Sequence, residues 1–327
     1  MRTTRVITVI IVLFLVSACS MPRIGLFSDA ADPLREYTLE GGGSEKILLI
    51  SVQGTISNVP QKGLVRSTPS MVQQVVSQLK KAEKDERIKA ILFKINSPGG
   101  TIIASDILYH EISSYRDKTG AKIVVSMMDV AASGAYYLSL PADVIMAHPT
   151  TITGSIGVIF LRPKVGGLMD KIGLGVDMIK FGRNKDMGSP FRDSTEEEKN
   201  LMQKTVNDFG ERFIRLVQKH RRLQEPAMGE ISTARIFTAD EALKLGLVDK
   251  IGYLSDAVKE AKTLAGLAGD ARLVVYRRVN FPDDNYYNVT GAALEDEQVP
   301  VINIALPDSL NLHAGFYYLW PGAIAAE

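Results

Sequence analysis

Continuous apolar runs alternate with amphipathic stretches along the first half of the chain. Lys46 to Ile56 (KILLISVQGTI), Ile88 to Ile95 and Lys122 to Met127 are apolar at their centres without strict alternation, the pattern of strands buried on both faces. Between them, Ser70 to Arg87 places Met71, Val75, Val76 and Leu79 at near-helical spacing, and Thr101 to Tyr115 puts Ile103, Ile107, Leu108 and Ile112 on one face. This β-α-β-α-β order predicts an α/β domain, a mainly parallel sheet covered by helices. Further strands are expected at Asp143 to Ala147, Ile156 to Phe160 and Arg272 to Arg278, and helices at Thr238 to Gly246 and Leu254 to Leu267. Thr195 to Arg222 reads as a long charged helix, with Ser194 as candidate cap and three glutamates in its first turn, where the helix dipole favours them. From Asn280 onward the pattern fades. The aromatic cluster Phe316 to Pro321 is expected to pack on the core, with a substrate groove or a bilayer as alternatives.

Two turns interrupt the pattern with chemistry. The strand ending at Met128 leads into Ala131-Ala132-Ser133-Gly134, which places Ser133 at a helix start among small neighbours that let another chain approach its hydroxyl. Such a serine is either a nucleophile or an N-cap. Upstream, Asn96-Ser97-Pro98-Gly99-Gly100 ends a strand in a tight turn. The amides of Gly100 and Gly134 are candidate donors of an oxyanion hole, and parallel strands would bring both turns to one edge of the sheet. On this reading Gly100→Val abolishes turnover and leaves the fold largely intact.

The segments INSPGG, ASGAYY and GSIGVI, in this order, together with Gly182 to Pro190 (GRNKDMGSP) and Phe237 to Gly252 (FTADEALKLGLVDKIG), resemble the signal peptide peptidase A family of serine peptidases. The resemblance spans roughly Lys46 to Leu267. It implies a Clp-protease/crotonase-like fold with a single catalytic domain over residues 46–278, followed by a tail of unknown role over 279–327. It also implies Lys185 as general base, 52 residues after Ser133, with Ser155 of GSIG orienting the amine. Active sites near subunit contacts, hence a homo-oligomer, and extended hydrophobic peptides such as cleaved signal peptides as substrates, follow from the same resemblance. A crotonase-like acyl-CoA enzyme and a non-catalytic scaffold on this fold are the competing readings.

A lysine base imposes a condition. Its ordinary pKa of about 10.4 must fall to roughly 8, a cost to the ammonium of about 3 kcal/mol that burial can impose. Arg183 could help as a like charge, whereas Asp186 would oppose it. The four histidines, His110, His148, His220 and His313, occupy no small-residue turn, and His110 is the one worth testing.

Charge and targeting narrow the picture further. Lys plus Arg number 38 against 37 acidic residues, so nucleic acid and polybasic membrane contacts are set aside. Arg2 and Arg5 precede an apolar run from Val6 to Val16, too short for a confident membrane span but suited to a secretory signal. Cys19 is the only cysteine and ends Val16-Ser17-Ala18-Cys19, which resembles a bacterial lipobox. The expectation is a signal peptide over 1–18, a lipidated Cys19, a flexible tether over 19–45 and an exported, membrane-anchored lipoprotein of the bacterial envelope, with inner or outer membrane left open. No metal-ligand cluster or phosphate-binding loop is evident, and acyl transfer needs no cofactor.

Overall fold

A computed structural model of the 327-residue chain describes residues 33–62, 67–223, 225–278, 285 and 314–326. The expected signal peptide, Cys19 and His313 lie outside these residues. Fourteen strands are described. In the first part they are β1 (Arg35–Glu40), β2 (Lys46–Gln53), β3 (Gln61–Lys62), β4 (Ser67–Thr68), β5 (Ile88–Ser97), β6 (Gly99–Thr101) and β7 (Lys122–Ala132). The rest are β8 (Val144–Ala147), β9 (Ile152–Gly154), β10 (Ile159–Leu161), β11 (Ile236–Thr238), β12 (Lys250–Ile251), β13 (Arg272–Arg277) and β14 (Gly315–Leu319). The helices are α1 (Met71–Ala82), α2 (Ile102–Thr119), α3 (Gly134–Ser139), α4 (Gly166–Ile172), α5 (Glu196–Arg221), α6 (Ala227–Ser232), α7 (Ala239–Lys244) and α8 (Leu254–Leu264).

The main sheet runs β1-β13-β2-β5-β7-β8-β12, with β9 also on β7 and β11 on β9. Every pair from β13 through β12 is parallel, and antiparallel pairs occur only where β1 joins β13 and β11 joins β9. This is the mainly parallel α/β sheet expected from the alternation, and it agrees with the Clp-protease-like fold that the resemblance implies. Both faces are covered. Leu48, Ile50, Phe93 and Ile123 pack with Leu108 of α2 and Phe213 of α5 on one side, and Ile47, Leu49, Leu92 and Val124 with Leu254 and Val258 of α8 on the other.

Local chemistry sets the element boundaries. Ser70 and Gln73 form a capping box at α1, Thr238 and Glu241 another at α7, and Gly120 closes α2 in the left-handed region at φ 69°. At α5 the cap is Thr195, paired with Glu198 in a third box, and not the expected Ser194. Ser194 instead accepts from Arg162 at 2.6 Å.

Two of these expectations are corrected and a third takes a more definite form. The tether expected over 19–45 ends early, because Arg35–Glu40 pairs antiparallel with β13 and the Gly42 and Gly43 amides donate to the Asp270 carbonyl at 3.0 and 2.9 Å. The strand expected over Ile156 to Phe160 begins only at Ile159, as β10, because Ser155 at φ 49° turns the chain after β9 has ended at Gly154. The aromatic cluster packs on the core as expected, through Tyr318, and does so as a strand, β14, in a second sheet ordered β10-β14-β6.

Candidate active site

Sheet register brings the two glycine turns together. Ser97 at the end of β5 pairs with Ala131, and Ala132 at the end of β7 pairs with Gly154. The Ser133 amide then donates to the Gly154 carbonyl at 2.8 Å. Asn96 Oδ1 accepts from the Val130 amide at 3.0 Å, and Ser97 Oγ from the Gly99 amide at 3.1 Å, so the first turn is fastened to the second and to itself.

Ser133 is held at φ 53°, ψ −114°, a backbone region costing a non-glycine residue about 1–3 kcal/mol. Its side chain makes no cap bond, so the N-cap explanation fails. The residue is fully buried, and Oγ has no hydrogen-bond partner. Strain and an unsatisfied hydroxyl at one residue are costs that the surrounding register must support.

The glycines beside it are required by close approach. A Cβ on Gly134 would stand 2.3 Å from Ser105 Oγ and 3.2 Å from the Gly100 nitrogen. One on Gly99 would stand 2.8 Å from the Gly134 nitrogen. The Gly100 and Gly134 amides therefore converge next to Ser133. A Cβ on Gly100 would stand 1.9 Å from the Ile56 carbonyl oxygen, so Gly100→Val must displace backbone, contrary to the expectation of an intact fold.

Behind the turn, the residues of α3 are all buried. The Tyr136 hydroxyl donates to the Leu247 carbonyl at 2.8 Å and the Tyr137 hydroxyl to Asp106 Oδ1 at 2.6 Å. Arg212 holds the same carboxylate oxygen at 2.6 Å. These contacts fix the helix whose first amide belongs to Gly134.

The expected partners of Ser133 divide. Ser155 follows Gly154, whose carbonyl receives the Ser133 amide, so the two serines are neighbours across the β7–β9 pair. Lys185 is exposed in the turn after Gly182 and makes no hydrogen bond to Ser133 Oγ. The burial that a lysine base needs is not provided by its own chain. Asp186, expected to oppose the base, is occupied by Arg192 and Lys180, and the bond from Arg192 foremost holds its carboxyl well below the usual range. Arg183, expected to help, pairs with Glu197.

Lys94 was not singled out from the sequence. It is buried in β5, in register with Ser51 of β2 and Ser126 of β7, and burial lowers its pKa to about 8. The histidines have other places. His110 is exposed, His148 sits edge-on to Tyr253, and His220 is bonded to the Tyr109 hydroxyl at 2.8 Å. Among the described residues no His, Cys, Asp or Glu cluster could hold a metal ion, and no helix is long and apolar enough to cross a membrane.

The profile of Peptidase family S49 matches residues 116–268, and that of Clp protease matches residues 65–151. A protein of Enterococcus faecium named "putative signal peptide peptidase SppA" is 36% identical over 248 residues, 76% of this chain and 72% of that protein. A Synechocystis protein named as a putative protease is 33% identical over 268 residues, 81% of this chain and 90% of its own. Protease 4 of Haemophilus influenzae is 31% identical over 254 residues, which make up 78% of this chain but 40% of that longer protein.

Proposed function

From the premise that the chain belongs to peptidase family S49 and is a signal-peptide-peptidase-like serine peptidase, we propose that Ser133 is its nucleophile and Lys185 its general base. The observation that carries this reading is the convergence of the Gly100 and Gly134 amides beside a strained, unpartnered Ser133. The neutral Lys185 amine takes the Ser133 proton as Oγ attacks the peptide carbonyl, and the two amides hold the developing oxyanion. The C–N bond breaks, the amine leaves with a proton from Lys185, and water releases the acyl group. Ser155 orients the amine. The competing acyl-CoA and scaffold readings give Ser133 no such role.

Lys185 needs burial, and it stands near the end of a segment that exposes large apolar side chains, including Leu168, Ile172, Ile179 and Phe181. A second copy of the chain packed there would bury the ammonium and bring it to a neighbouring Ser133, so the proposed active form is a homo-oligomer. Its substrates would be extended hydrophobic peptides such as cleaved signal peptides. The enzyme would be exported and anchored in a bacterial envelope membrane through lipid on Cys19. Mass spectrometry of the mature protein tests the anchor, which an unmodified terminus elsewhere would refute. A fluorophosphonate probe tests the nucleophile. Labelling should map to Ser133 and vanish in Ser133→Ala, and labelling of another serine would end the assignment.

A further inference from the structure

The two donors assigned to the oxyanion come from different parts of the chain, so their separation has to be fixed by packing. Gly100 stands two residues before α2, whose first turn Thr101 caps by accepting from the Ala104 amide at 3.3 Å, and Gly134 is the first residue of α3. The spacing of the two amides is therefore the spacing of two helix starts. Contact alone limits it from below. Ser105, in the first turn of α2, is fully buried and donates to the Thr101 carbonyl at 3.0 Å, and its Oγ would stand 2.3 Å from a Cβ on Gly134. Such a stop keeps the helices from closing further but does nothing to hold them together.

The hold comes from the next residue. Asp106 Oδ1 accepts from the Tyr137 hydroxyl at 2.6 Å and from Arg212 Nη2 at 2.6 Å. Asp106 follows Ser105 on α2, and Arg212 belongs to α5. Tyr137 stands three residues after Gly134, and its amide donates to the Ser133 carbonyl at 2.9 Å. One oxygen thus joins the helix that begins after one oxyanion glycine, the helix that begins at the other, and a third helix. The tyrosine ring is fully buried, edge-on to Tyr109 at 5.4 Å and to Phe213 at 4.9 Å. Burial, and after it the bond to Asp106, holds this phenol well above the usual tyrosine range, so the hydroxyl stays a donor. Arg212 balances the charge of the carboxylate, which would otherwise oppose an oxyanion developing at the same helix starts.

We propose that Asp106 is a positioning residue of the oxyanion hole, setting the separation of the Gly100 and Gly134 amides through Tyr137 rather than by acting on the substrate. This rests on the peptidase reading for its catalytic consequence, but the clamp itself is separable from catalysis. Without the acceptor the two amides drift from the place the oxyanion takes. That interaction is made only in the transition state, so kcat and kcat/KM should fall together by about 10–10²-fold while KM holds. Asp106→Asn keeps an oxygen in place for both donors and should retain most of kcat.

Two measurements decide it. The first is hydrogen exchange at the Tyr137 amide, which needs no catalysis. It should quicken by about tenfold or more in Asp106→Ala and in Tyr137→Phe, and stay near native in Asp106→Asn. Native exchange in Asp106→Ala and Tyr137→Phe overturns the clamp whatever Ser133 does. The second is hydrolysis of a fluorogenic hydrophobic peptide, with kcat expressed per site titrated to completion by the fluorophosphonate probe. A merely structural role changes the number of titrated sites and not the rate of each. Asp106→Ala should lose kcat at unchanged KM, Tyr137→Phe should lose as much, and the double variant should be no worse than either. Native kcat per titrated site in Asp106→Ala, or an Asp106→Asn variant as slow as Asp106→Ala, would end the proposal. A wild-type protein that neither hydrolyses the peptide nor takes the probe counts against the peptidase reading, leaving the clamp to the exchange result.

Discussion

The Ser133 turn and the Lys185 segment are built by opposite means. Ser133 is fixed by strand register on two sides, by a fastened glycine turn and by a wholly buried helix behind it. Lys185 lies on a segment between β10 and α5 whose one described helix, α4, buries no residue and where Ile179 and Phe181 are almost fully exposed. One half of the proposed dyad is finished by the chain alone. The other half carries exposed apolar side chains that the proposed second copy would cover. Under the proposed dyad, the nucleophile and its oxyanion donors are a property of one sheet edge, whereas the lysine base depends on what excludes water around it.

The largest effects should come from breaking either half. Ser133→Ala and Lys185→Ala are each expected to reduce kcat/KM by about 10⁴-fold or more, with the double variant no worse, because the pair acts as a unit. Lys185→Arg should fail equally, since guanidinium does not deprotonate in this range. Additive losses in steady-state peptide hydrolysis would separate the two residues. Next, Gly134→Ala removes room beside an oxyanion donor and should cost about 10²–10³ in kcat. Circular dichroism should show it folded, and near-native kcat in a folded protein would remove Gly134 from the site. Ser155→Ala should cost less, up to about 10²-fold, as a loss of positioning, and its pH profile should shift with the amine it orients.

The smallest effect sharpens the comparison. Lys94 has the lowered pKa that Lys185 was expected to show, yet no bond reaches Ser133 Oγ. Lys94→Met should therefore leave the shape of the kcat/KM pH profile unchanged. Its signature is in stability. Burial lowers the folded pKa to about 8 from the ordinary lysine value of 10.5, so between these pH values the unfolded chain binds the extra proton. Stability of the wild type should rise with pH across the lower part of that window, relative to Lys94→Met. Parallel denaturation curves from pH 7.5 to 9.5 would refute this.

Much of this was legible in the residues. Apolar runs such as KILLISVQ give themselves away because a strand buried on both faces has no polar side to show, and the glycines at 99, 100 and 134 mark places where backbones must approach. β1 was not legible, since REYTLE is a strand only through its pairing with β13 far along the chain and carries no apolar run of its own. β14 was legible only as an aromatic cluster, because its pairing with β6 and β10 is tertiary. Lys94 was hidden within the apolar strand IKAILFKINS, where a cation between Phe93 and Ile95 does not disturb the pattern. The exposure of Lys185 could not be read at all, because burial is a property of the folded surface and not of the GRNKDMGSP motif.

The central claim, that a buried Ser133 is served by a Lys185 exposed on its own chain and buried by another, is tested most directly by mixing two inactive proteins. Ser133→Ala and Lys185→Ala chains, unfolded together and refolded as mixed oligomers, should recover peptide hydrolysis at a sizeable fraction of wild type, because some interfaces then pair an intact Ser133 with an intact Lys185. Mixed oligomers that form, as shown by mass, but remain inactive would contradict it.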